Sequence, residues 1–209
     1  MIYPKNNRLI FCTMHYYVKW LMRRHFREVK HDDIAVDKNR SVLLIANHYS
    51  FWDSLILYTV NTQLFKKRMH IMILEESMHK YWSFKYVGAF SVKKGTRGII
   101  ESLDYAAQLL ADPQNLVLIY PQGKLYSNFV TRVNFEKGVM RVIEKAGNFQ
   151  LVFAAAFVQY FRSTKPTATV YLKDENENFA GKEITTLQAA YQQFYETKKL
   201  EQTEIDAEQ

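Results

Sequence analysis

The chain has 209 residues, enough to bury one full core without disulfide staples and most simply read as one domain. Hydrophobic residues make up 48% and charged residues 23%, a globular mix that argues against both a disordered chain and a protein of many membrane spans. A net charge of +7 implies an anionic partner (a membrane surface, a nucleic acid or a phosphorylated substrate), while the lone Cys12 excludes an intrachain disulfide and points to a reducing compartment.

Residues 1–30 begin with Tyr3-Pro4-Lys5 and have no small-residue cleavage site, so they do not read as a signal peptide. The uncharged run 9–18 is too short for a span, which needs roughly 20 residues. Ile10, Met14, Tyr17, Val18 and Leu21 recur at helical spacing, with Trp20 beside them and Lys19, Arg23, Arg24 and Arg27 adding charge. Two readings fit: a helix lying in a lipid interface, where each basic side chain adds roughly 1 kcal/mol near an anionic leaflet, or a helix packing its stripe on the domain's own core.

A polar link follows over 30–40, and then 41–46 (SVLLIA) predicts a strand buried on both faces. Helix is expected over 51–64, strand over 71–74, an aromatic-rich helix over 76–87, and a brief strand over 88–92 closed by Lys93, Lys94 and Gly95. The clearest helix, 97–111, puts Ile100, Leu103, Ala107 and Leu110 on one face and stops at Asp112-Pro113. The clearest central strand, 116–120, runs into the turn Pro121-Gln122-Gly123. Helix 135–146, strands 151–158 and 168–172, and helix 187–200 complete the chain. Alternating strands and helices predict an α/β fold: a central, mostly parallel mixed sheet flanked by helices, behind an N-terminal amphipathic helix. Residues 1–30 are the expected membrane-associating helix and 31–209 the expected catalytic domain. In such sheets the loops after the carboxyl ends of strands carry the sites, which selects the loops starting at Asn47 and at Pro121.

The first loop, Asn47-His48-Tyr49-Ser50-Phe51-Trp52-Asp53, places an aspartate five residues after a histidine. On a continuous helix that is about 500°, so the two side chains would point apart. They meet only if His48 precedes the helix and Asp53 falls in its first turn, after a cap at Ser50 or a neighbour. Asp53 would then hold one imidazole nitrogen, fixing the tautomer and stabilising the imidazolium, and leave the other facing outward. Ser50-x-x-Asp53 is also a passable capping box, with His48 as ordinary hydrogen-bonded structure. Spacing alone leaves both readings open. The other histidines have no comparable acid partner at a strand end, and no His/Cys cluster has metal-site spacing.

Asn47, His48 and Asp53 match an intact NHxxxxD motif. Gly88-Ala89-Phe90-Ser91-Val92-Lys93-Lys94 resembles a second motif, Tyr120-Pro121-Gln122-Gly123-Lys124-Leu125-Tyr126 a third (FPEGTRS), and Phe135-Glu136-Lys137-Gly138 with 151–156 a weaker fourth that lacks its proline. In this order, over about 41–160, the set resembles the glycerolipid acyltransferases related to lysophosphatidic acid acyltransferase. The resemblance implies a donor acyl thioester on coenzyme A or acyl carrier protein, a lysolipid or glycerol-like acceptor hydroxyl, and no further cofactor or metal. It implies His48 as general base oriented by Asp53, with Asn47, Lys94, Gln122, Gly123 and Lys124 binding substrate. It also implies a role in phospholipid synthesis at the cytoplasmic face of a membrane bearing anionic lipid.

The chain has no GxSxG elbow, and Cys12 is remote from the motif loops, so no acyl-enzyme is expected. Backbone N–H groups near Gly123 or in the helix after His48 are the expected oxyanion donors. The third motif departs most: Gln122 stands for Glu, Lys124 for Thr and Leu125 for Arg, while Lys94 stands where arginine is usual. Lysine offers a phosphate a point charge where arginine offers a fork. This suggests an acceptor other than lysophosphatidic acid, such as an amino-acid-headed lipid, or a phosphate held less tightly; the alternative is an isosteric swap beside compensating lysines. A catalytically silent lipid-binding relative is the competing function. Nucleic acid is not an expected partner, since no motif or regular basic-aromatic array of that kind is present.

Overall fold

The computed structural model describes residues 1–92 and 95–206. Asn7 caps the first helix, its side chain accepting the Ile10 N–H at 3.1 Å. The elements are α1 (Arg8–His25), β1 (Glu28–His31), β2 (Ser41–Ala46), α2 (Trp52–Val60), β3 (Arg68–Leu74), α3 (Glu75–Lys80), β4 (Ala89–Val92), α4 (Thr96–Leu109), β5 (Asn115–Ile119), α5 (Gly138–Lys145), β6 (Phe149–Gln159), β7 (Thr167–Glu175) and α6 (Ile184–Thr203). The seven strands form one sheet in the order β1-β7-β6-β2-β5-β3-β4, parallel throughout except for the β6–β7 pair. The α/β fold with a mostly parallel sheet and an N-terminal helix is the one expected.

β2 lies between β5 and β6 and is buried at every position, which is why its sequence is a continuous apolar run rather than an alternation. Its side chains still alternate between two cores. Leu43 and Ile45 join Val117, Ile119 and Phe153 on the side covered by α4, α5 and α6, while Val42, Leu44 and Ala46 join Leu116, Leu118 and Val152 on the side covered by α1 and α2.

α1 divides between the two readings its sequence allowed. Met22 is buried and Val18 packs against the α2 side of the core, whereas Leu9, Tyr16, Tyr17 and Trp20 are exposed. No helix among the described residues is long and apolar enough to cross a membrane.

The structure corrects three expectations. The link over 30–40 is entered by β1, a half-exposed edge strand with the alternating, largely polar sequence EVKH, which gives no buried-strand signal. The helix expected over 76–87 breaks at Tyr81, beyond which Trp82–Val87 tightens into a 3₁₀ stretch. The helix expected over 51–64 changes to a wider π turn at Asn61–Phe65, closed by Lys66 in the left-handed conformation (φ 54°).

At the other edge, the N-terminal segment covers β4: Ser91 N–H donates to the Ile2 carbonyl at 2.9 Å and Ile2 N–H to Ser91 Oγ at 2.7 Å. Gly88 turns the chain into β4 at φ +93°, and a Cβ there would lie 2.0 Å from the Met69 carbonyl oxygen. Both the torsion and the backbone clash exclude a side chain. Gly88→Ala is therefore expected to destabilise the fold by roughly 2–4 kcal/mol, read as a lowered denaturation midpoint.

Candidate active site

The site begins where β2 leaves the sheet. Asn47 is buried, and its amide replaces a missing ladder pair: Nδ2 donates to the Ala156 carbonyl at 3.0 Å and Oδ1 accepts the Ala156 N–H at 2.8 Å. This bond fixes the start of the loop to β6. The next residue, His48, stands at the carboxyl end of β2, and Asp53 occupies the first turn of α2.

Asp53 is fully buried and reaches back along the loop. Its Oδ2 meets His48 Nδ1 at 2.8 Å and accepts the N–H groups of Tyr49 at 2.7 Å and Ser50 at 2.9 Å, while Oδ1 accepts the Ser50 hydroxyl at 2.7 Å. An ionised carboxyl can satisfy all these donors at once. The Ser50 hydroxyl in turn accepts the Trp52 N–H at 3.1 Å. The cap-like contact and the His–Asp contact therefore coexist on one carboxyl group.

His48 keeps 22% of its side-chain surface exposed. With Nδ1 held by Asp53, the tautomer that donates there leaves Nε2 as the acceptor, and Nε2 has no hydrogen-bond partner among the described residues. The ring lies flat on Tyr120, with centroids 3.9 Å apart and planes at 9°. The Tyr120 hydroxyl pairs with Ser54 Oγ at 3.1 Å. Burial, and then the nearby Asp53 charge, pushes the Tyr120 hydroxyl well above its ordinary range. Tyr49 shifts the same way for the same reasons, and its buried hydroxyl lacks a partner. Both phenols are thus neutral at physiological pH.

The second loop closes over the first because β5 is the neighbour of β2. Gln122, buried, accepts the His48 N–H on Oε1 at 2.7 Å, and Tyr126 N–H donates to the His48 carbonyl at 3.1 Å. The Gln122 Nε2 has no partner among the described residues, yet it is not sealed from solvent. Gly123 makes the turn at φ +67°. Lys124 is exposed with Nζ 5.1 Å from the Tyr126 ring centre, and Leu125 and Phe129 are exposed beside it.

Asn47, His48, Asp53 and Gln122 thus come together, and Gly123 shapes the turn that brings Gln122 in. Lys124 points to its own loop's Tyr126, and Lys94 lies outside the described residues. Sequence reasoning missed Tyr120 as the platform under His48 and the Ser50 hydroxyl as the acceptor of the Trp52 N–H. The adjacency of Tyr120 to the third motif was the signal for the first, and the Ser50-x-x-Asp53 spacing was the signal for the second. The backbone N–H groups of Tyr49, Ser50, Trp52, Asp53 and Gly123 all have acceptors within the protein. That removes several of the oxyanion donors expected from the sequence.

A family model described as Acyltransferase matches residues 26–158. The fold is similar to the crystal structure of PlsC, the 1-acyl-sn-glycerophosphate (LPA) acyltransferase from Thermotoga maritima, with a TM-score of 0.69 and 12% identity over 94% of this chain and 80% of that one. At this identity the likeness is one of fold. No curated protein matches. The family match runs from the residue after α1 nearly to the end of strand β6, spans more than half of the sequence and contains both loops of the site, so the chain belongs to the acyltransferase family.

Proposed function

We propose that the protein moves a fatty acyl chain from an acyl thioester, on coenzyme A or acyl carrier protein, to a hydroxyl of a lysolipid or glycerolipid-like acceptor. The observation that carries this reading is the imidazole of His48, held at Nδ1 by a buried carboxyl and exposed on its remaining side. As the acceptor oxygen attacks the thioester carbonyl, His48 Nε2 takes its proton and Asp53 stabilises the imidazolium. The new C–O bond forms, the C–S bond breaks, and the proton passes to the departing sulfur. The Gln122 Nε2, an N–H donor beside His48 with no protein partner, is the group proposed to meet the oxyanion.

The acceptor is proposed to be a lysolipid whose head group needs no guanidinium fork. The PlsC neighbour is an LPA acyltransferase; here Leu125 is exposed on the motif-three loop and Lys124 stacks on Tyr126. Acceptor competition assays test this, and a wide preference for lysophosphatidic acid would overturn it. Within residues 1–30, the exposed face of α1 is proposed to rest on the cytoplasmic face of a membrane bearing anionic lipid, supported by the exposed Leu9, Tyr16, Tyr17 and Trp20 beside Lys19, Arg23 and Arg24.

His48→Ala is expected to reduce acyl transfer by about 10²- to 10⁴-fold while leaving lysolipid binding intact, measured with labelled acyl thioester and by lipid mass spectrometry of expressing cells. Undiminished transfer would remove His48 as the base. If the wild-type protein binds lysolipid and transfers nothing, it is instead a silent lipid-binding relative. Asp53 is tested by two variants. Asp53→Asn keeps most of the hydrogen-bond framework and should lower kcat far more than stability. Asp53→Ala leaves the N–H groups of Tyr49 and Ser50 without their acceptor and should cost about 2–4 kcal/mol of stability in denaturant titration. Equal turnover in wild type and Asp53→Asn would make Asp53 a cap alone.

A further inference from the structure

A cavity of about 880 Å³ lies under the N-terminal half of α1, where β3 begins. Arg68 pairs there with Asn115, at the opposite end of β5 from the strand end beside His48. Lys5, Arg8, Lys66 and Arg68 line the cavity together with His15 and His70, and no carboxylate lines it among the described residues. Arg68 is neutralised by Asp112. Lys67, also in the wall, turns its ammonium to the carbonyls of Arg40 and Pro113. Lys5, Arg8 and Lys66 have no ion-pair partner among the described residues. The first turn of α1 also belongs to this wall, and its dipole adds to the positive field.

The rest of the wall mixes polar residues (Asn6, Asn7, Asn61, Thr62, Gln114) with apolar ones. Phe11, Tyr58, Met69, Tyr86 and Val87 line it, and at His15, Tyr58 and Thr62 the cavity meets a second one of about 530 Å³ that follows α1 past Val18, Met22 and Phe26. The His15 Nδ1 to Tyr58 hydroxyl contact, 2.9 Å, marks the junction. The second cavity sets Val18, Met22, Phe26 and Val29 beside Lys19, Arg23, Arg27 and Glu28, so an uncompensated cationic end adjoins a partly apolar furrow, which is complementary to a molecule that is anionic at one end and hydrocarbon at the other. Neither a free anion nor a neutral chain would use both parts.

We propose that this furrow is a second binding site, separate from His48, for the phosphate-bearing head of an amphiphile whose hydrocarbon chain lies between α1 and α2. Two sources have this chemistry, a bilayer phospholipid with net negative charge and a long-chain acyl-coenzyme A.

Cys12 lines the cavity and is exposed, so it reports occupancy through its rate of alkylation by N-ethylmaleimide in the full chain. Monododecyl phosphate below its micellar concentration should slow that rate in wild type and in His48→Ala alike, which separates this site from the proposed catalytic one. Dodecyl maltoside, with the same chain and no charge, and inorganic phosphate, with charge and no chain, should protect weakly or not at all. The combined variant Lys5→Ala, Arg8→Ala, Lys66→Ala should need about tenfold more dodecyl phosphate for the same protection. Arg8→Ala and Lys66→Ala singly should each shift it in the same direction, which keeps the test valid if the triple variant does not fold. Phosphatidylglycerol vesicles protecting wild type more than Lys66→Ala, where phosphatidylcholine vesicles protect neither, would identify a bilayer lipid. Protection by palmitoyl-coenzyme A would identify the thioester. Equal protection by dodecyl maltoside, an unchanged requirement in the variants, or no protection by either natural source would overturn the proposal.

Discussion

The buried carboxyl of Asp53 organises the loop on which the rest of the candidate site depends. It gathers the Nδ1 of His48, the N–H groups of Tyr49 and Ser50, and the Ser50 hydroxyl, all within 2.9 Å. A loop leaving a buried strand has backbone groups that water cannot reach, and each would be costly if left unpaired. One side chain resolves that problem for consecutive residues and in doing so fixes the orientation of the imidazole. Structural and chemical demands on the residue are therefore the same demand: what keeps the loop folded also keeps Nε2 facing outward.

The loop is braced from its other sides as well. Asn47 ties its first residue to Ala156 of β6, Gln122 accepts the His48 N–H from the β5 side, and Tyr120 lies parallel beneath the ring. These braces come from the strands on either side of β2. A group held at both ends of its backbone and on one face of its ring loses little rotational freedom on meeting a substrate, which is how a general base is kept in reach of a reacting hydroxyl.

Charge and apolar surface are distributed unevenly over the molecule. The motif-three loop near His48 presents Leu125 and Phe129 and turns Lys124 back onto Tyr126, whereas the start of β3 and α1 carries Lys5, Arg8 and Lys66 without ion-pair partners among the described residues. On this reading, binding of an anionic head group and chemistry at the hydroxyl sit at opposite ends of the strands. α1, with aromatic residues outward and Met22 inward, borders the furrow that continues from the cationic cavity.

Much of the layout was legible in the residues themselves. The nearly continuous apolar run SVLLIA is consistent with a strand buried on both faces, and its abrupt end at Asn47-His48 marked the site. Helical spacing placed α4 and α6, and the five-residue step from His48 to Asp53 permitted contact only across a helix start, the geometry observed. β1 was not legible, because an edge strand needs no buried face and its four residues are largely polar. Nor was the break at Tyr81, since the aromatic residues that suggested one helix pack on different neighbours: Tyr81 on Phe51 and Phe84, Trp82 on Tyr86. The sequence by itself determined that β2 is buried on both faces, which histidine has an acid within reach and which loops follow strand ends. Only the tertiary structure decided that β5 lies beside β2, that Gln122 and Tyr120 meet His48, and that a cationic furrow opens under α1, because strand order and helix packing join residues far apart in sequence and no local pattern records those distances.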